Sequence, residues 1–64
     1  MEGRIKLLLT DKNCGFITGG DDTDYFFHIS ALKNIKYDDL EVGMGVTFVD
    51  EEGTRGPRAE DVYA

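Results

Sequence analysis

The chain has 64 residues, 41% of them hydrophobic and 31% charged, with 13 acids against 7 bases for a net charge of −6. That balance describes one small, soluble globular domain rather than a disordered segment, and one that buries only about 60% of its unfolded surface. It excludes a membrane helix, which needs roughly 18 consecutive apolar residues, and it argues against a surface that binds by neutralising phosphate alone.

The first residues, Met1-Glu2-Gly3-Arg4, lack the basic and then apolar build of a secretory leader. The only cysteine, Cys14, has no internal partner for a disulfide. Both observations point to a reducing cytoplasm. Arg4, Lys6 and Lys12 fall in the first twelve residues, opposed only by Glu2 and Asp11, whereas the remaining acids cluster further on. The first strand is therefore expected on the less acidic side of the domain.

Short segments rich in aliphatic and aromatic residues predict strands over 4–9, 14–18, 24–29, 46–50 and 59–62. Turn signals separate them at Asp11-Lys12-Asn13, Gly19-Gly20-Asp21-Asp22, Gly43, Gly45, Glu52-Gly53 and Arg55-Gly56-Pro57. Five short strands with Gly-rich connections predict an all-β domain built as a small barrel. The connection from Ser30 to Gly45 is long, and structureless connections beyond about 12–15 residues are uncommon. Ser30 is expected to cap a short turn over Ala31-Leu32-Lys33.

Side chains alternate across a strand, so position sorts the aromatics onto two faces. Ile17, Tyr25, Phe27 and Ile29 form the larger apolar set and are expected inward. Cys14, Phe16, Phe26 and His28 then face out, on neighbouring hairpin strands. Adjacent outward aromatics are informative because a core no longer accounts for them. Leu7, Leu8 and Leu9 cannot all point inward, which predicts a bulge or a strand end.

Conventional chemistry finds little support. No His or Asp pairing marks Cys14 as a nucleophile. Asp21, Asp22 and Asp24 lack the spacing and closing Glu of a calcium loop. His28 has no second ligand at metal spacing, and Gly43-Met44-Gly45 is not followed by the Lys-Ser or Lys-Thr of a phosphate loop. Neither an enzyme nor a cofactor is expected.

Four motifs in order carry a resemblance. Gly3-Arg4-Ile5-Lys6-Leu7-Leu8-Leu9 with Lys12-Asn13-Cys14-Gly15-Phe16-Ile17 is similar to G-x-V-K-W-F-N and K-G-F-G-F-I. Tyr25-Phe26-Phe27-His28-Ile29-Ser30-Ala31 is similar to V-F-V-H-F-S-A. Gly43 to Phe48 and Gly56 to Val62 match G-x-x-V-x-F and G-P-x-A-x-x-V. The chain thus resembles the bacterial cold-shock proteins nearly end to end, without gaps. The resemblance implies a five-stranded antiparallel OB-fold barrel that binds single-stranded RNA or DNA as a monomer. Bases would stack on Phe16, Phe26 and His28, with Tyr37 closing over one end of the strand. Lys6, Lys12 and Arg55 would track phosphates, and Asp24 would bond base edges.

Several platform aromatics are replaced. Leu7 stands for Trp, Leu8 for Phe, Cys14 for Phe and Ile29 for Phe. Those positions, Leu7, Cys14 and Ile29, are expected to contribute less. The family places position 29 on the binding face, against its inward alternation, so a strand end or bulge must intervene. Stacking is worth about 1–3 kcal/mol per base. Loss of two stackers therefore costs on the order of 2–6 kcal/mol, or roughly one to four decades of affinity at about 1.4 kcal/mol per decade. Binding is expected to be weaker and more salt-sensitive than is typical of the family. The competing reading is a diverged barrel whose aliphatic, acid-rimmed patch binds a protein partner or a second copy.

Overall fold

The computed structural model describes residues 1–54 and 56–64. Five strands appear: β1 (Glu2–Leu9), β2 (Cys14–Gly19), β3 (Asp24–His28), β4 (Gly45–Gly53) and β5 (Gly56–Tyr63). Single 3₁₀ turns span Thr10–Lys12, Ile29–Ala31 and Tyr37–Asp39. The strands close into a barrel in the order β1-β2-β3-β5-β4, with β4 returning to β1.

One seam departs from the antiparallel expectation. β3 and β5 pair in parallel, through Phe26 and Arg58, while the other four seams are antiparallel. The reason is parity: a closed ring with an odd number of strands cannot alternate direction at every seam.

The core is the inward face of that ring. Ile5, Ile17, Phe27 and Val62 are almost wholly buried, and Tyr25 packs against Phe48 with ring centroids 5.1 Å apart. Glycine at position 15 is required by this packing, since a side chain there would meet the Leu7 carbonyl and the Phe27 ring. The long connection supplies the barrel's plug, as Ala31, Tyr37 and Leu40 join the core cluster.

The parity problem in β1 is solved by a bulge between Ile5 and Leu7, which leaves Lys6 as the extra residue. Ile5 stays inward, Leu7 is turned out, and Leu8 packs back against the core. A second bulge lies in β5, where the register against β4 passes from Tyr63 to Glu60 and Asp61 adopts φ 50°. Asp tolerates this left-handed conformation better than most residues.

Two local expectations are corrected. β3 ends at His28, so Ile29 is not a strand residue; it opens a 3₁₀ turn and is exposed rather than inward. Ser30 is not the cap of that turn. His28 is, its Nδ1 accepting from the Ser30 backbone N–H at 3.2 Å.

Candidate functional site

Barrel register aligns the outward residues of β1, β2, β3 and β5 into transverse rows. Leu7 pairs with Phe16, Phe16 with Phe26, and Phe26 with Arg58. One row therefore runs Leu7–Phe16–Phe26–Arg58 across four strands spaced about 4.8 Å apart. The adjacent row is Leu9–Cys14–His28. Phe16 and Phe26 are half-buried, with centroids 5.8 Å apart and planes at 71°. This edge-on contact lets each ring brace the other while both remain accessible.

His28 is exposed at the end of β3. Its Nδ1 lies 3.0 Å from Ser30 Oγ as well as accepting from the Ser30 amide, so the turn that follows β3 orients the ring. Since a backbone amide only donates, the neutral ring carries its proton on Nε2.

Lys6 sits on the β1 bulge and forms an ion pair with Asp24 at 2.6 Å. Thr18 Oγ1 donates to the other Asp24 oxygen at 3.0 Å. These contacts, Lys6 first and Thr18 second, hold the Asp24 carboxyl below its ordinary pKa. Lys12 is exposed on the 3₁₀ turn joining β1 to β2. Arg55, expected to contact phosphate, lies outside the described residues.

Two predicted site residues are placed differently from the sequence reading. Cys14 is buried, although alternation puts it on the outer face with Phe16. Tyr37 does not stand over the platform. It belongs to the core, and its hydroxyl donates to the Cys14 carbonyl at 2.7 Å. Burial is the main reason its pKa is raised. Its apolar ring gains more from the barrel's open end than from solvent, and the hydroxyl finds an acceptor there.

Sequence reasoning missed Arg58. It sits at the variable position of the matched G-P-x-A motif, and only the parallel seam with β3 puts it beside Phe26. Its Nη2 lies 3.2 Å from Glu60 Oε2. The basic side chain within that motif was the available signal.

The platform is a face rather than a pocket. A concavity of about 570 Å³ is lined by residues such as Arg4, Thr18, Thr47 and Tyr63 and by none of Phe16, Phe26 or His28. A smaller groove of about 250 Å³ between Ile29 and Tyr37 borders the His28 end. Among the described residues, no helix is long and apolar enough to cross a membrane.

A closed five-stranded barrel with an outward aromatic row flanked by cations has the form of an oligonucleotide-binding module. The family model for the 'Cold-shock' DNA-binding domain matches residues 1–64. The chain is 45% identical over 60 residues to Cold shock protein 2 of Lactiplantibacillus plantarum, covering 94% of this chain and 91% of that one. Cold shock-like protein CspC of Bacillus cereus is 42% identical over 62 residues, covering 97% and 95%. Major cold shock protein CspA of Bacillus cereus is 40% identical over 60 residues, covering 94% and 90%. The chain belongs to the cold-shock domain family, a family of nucleic-acid-binding domains.

Proposed function

We propose that this protein binds single-stranded RNA or DNA by stacking successive bases on Phe16, Phe26 and His28. The observation that carries this reading is the Leu7–Phe16–Phe26–Arg58 row, in which two accessible rings stand between an exposed leucine and a cationic Arg58. Lys6, Lys12 and Arg58 meet phosphates on either side of the stack. Base preference is modest, because every base offers a π-face. Leu7 gives apolar contact in place of a stack, and buried Cys14 gives almost none. Affinity is therefore lower than in a platform with aromatics at both positions. The protein acts as a monomer without cofactor in the cytoplasm, and keeps RNA free of secondary structure as the family reading implies.

A short pyrimidine-rich single strand titrated at low salt tests this through backbone amide shifts. Shifts centred on Phe16, Phe26 and His28 support stacking. No shift there at millimolar strand refutes it.

A protein partner is the second reading. Leu7 at 44% and Ile29 at 39% exposure supply an aliphatic surface that a base stack does not need. Shifts centred on these two residues with a protein ligand, and none with the strand, would favour it.

A further inference from the structure

His28 carries two ring nitrogens, and the fold uses only one of them. Nδ1 accepts from the Ser30 backbone N–H at 3.2 Å. A backbone amide cannot accept, so Nδ1 is the bare nitrogen, and the Ser30 hydroxyl at 3.0 Å donates to it as well. The contact depends on where β3 stops. Along a continuing strand, residue 30 would lie about 6.6 Å further on, with its amide directed sideways into the ladder. Here the chain turns at Ile29, whose own N–H is anchored on the Asn13 carbonyl at 2.9 Å, and the Ser30 amide comes within reach of the ring. One residue, two places along, thus sets both the orientation of the imidazole and its tautomer.

Nε2 is left as the protonated nitrogen. His28 is exposed, and among the described residues no carbonyl or side chain takes its Nε2–H. We propose that Ser30 is a positioning residue for nucleic-acid binding. It holds His28 as an Nε2–H donor, and that donor bonds an oxygen of the strand while the ring face stacks. The acceptor is a base carbonyl or a phosphate oxygen, since an amino group cannot accept a hydrogen bond from a ring N–H. Phe16 and Phe26 offer a π-face and no donor, so His28 adds to the platform a directional contact that neither of them can make. The proposal rests on the stacking reading above.

Wild type, Ser30→Ala, Ser30→Thr, His28→Phe and the double variant His28→Phe/Ser30→Ala are titrated with oligothymidylate and with oligodeoxycytidylate. The pH is held at about 8, above the ordinary histidine value of about 6.5. Ring nitrogen NMR shifts should report a protonated Nε2 and a bare Nδ1 in the free wild type, with Nε2 moving as strand is added. Ser30→Ala should weaken binding by about 2- to 13-fold, the worth of one neutral hydrogen bond, and Ser30→Thr should restore it. In the His28→Phe background the Ser30→Ala loss should vanish, because Phe has no nitrogen to hold. A loss confined to oligothymidylate assigns the acceptor to the base carbonyl that cytosine replaces by an amino group, and equal losses on both strands assign it to phosphate. A ring protonated on Nδ1, unchanged affinity in Ser30→Ala, or the same Ser30→Ala loss in both backgrounds overturns the proposal while leaving stacking intact. Absence of binding by all five proteins overturns both.

Discussion

Replacing Phe26 by Ala separates a binding platform from a stray surface aromatic. Phe26 is half-buried and meets Phe16 edge-on, so truncation weakens both the fold and the stack. Full burial of a Phe contributes about 1.5–3 kcal/mol, and an aromatic pair adds about 0.5–1.5 kcal/mol. Half the first term plus the second gives a loss of about 1–3 kcal/mol in stability. For a domain of this size that lowers the melting temperature by about 4–8 °C per kcal/mol. Loss of one stacked base costs a further 1–3 kcal/mol or so in binding, about 5- to 150-fold in Kd. The titration is run well below the variant's melting point, followed by tyrosine emission or NMR because the chain has no Trp. Phe26→Leu, which keeps apolar bulk without a ring, should recover much of the stability and little of the affinity. Cys14→Ala is the comparison, since Cys14 is too buried to offer a stacking face. Equal loss of affinity in Phe26→Ala and Cys14→Ala would refute the platform.

Leu7→Trp should tighten single-strand binding by one stacked base, about 5- to 150-fold, because position 7 is exposed and in register with Phe16; an unchanged Kd in the same titration counts against the row. Tyr37→Phe should cost about 0.5–1.5 kcal/mol through the lost bond to the Cys14 carbonyl. An unchanged melting temperature would place the phenol outside the core. The Tyr25 hydroxyl is pushed up to about 12, chiefly by its 2.8 Å bond to Asp21 and secondarily by burial. Folded Tyr25 thus holds its proton more tightly than the unfolded chain does. Its stabilisation is complete below pH 10, the ordinary tyrosine value, and is lost as pH rises towards 12. Asp24 behaves oppositely: its lowered pKa gives stability present above the ordinary value of 3.8 and lost as pH falls below it. Melting curves across pH should show both limbs, and Asp21→Asn should weaken the alkaline one.

Much of the site was legible because strand alternation is a local rule. Ile17, Tyr25 and Phe27 face inward and Phe16, Phe26 and His28 outward, as their positions in the two hairpin strands require. The three leucines of β1 announced a break in parity, and the bulge at Lys6 supplies it. Tyr37 could not be placed by such a rule. Its connection has no period, and its destination depends on where the barrel leaves an opening. Arg58 was hidden for a related reason: it meets Phe26 only through a seam between strands distant in sequence.

The sequence by itself determined the number of strands, the core face of the central hairpin and the kinship of the chain, because these rest on spacing of two and on motif order. Tertiary structure decided the partners. Ring closure made the β3–β5 seam parallel and brought Arg58 to the aromatic row. The bulge aimed Lys6 at Asp24, eighteen residues away. Net charge told of an acidic protein. Only the folded barrel shows that Asp24 holds Lys6 and Glu60 holds Arg58, because an ion pair depends on distance in space, and the chain sets that distance only once it has closed.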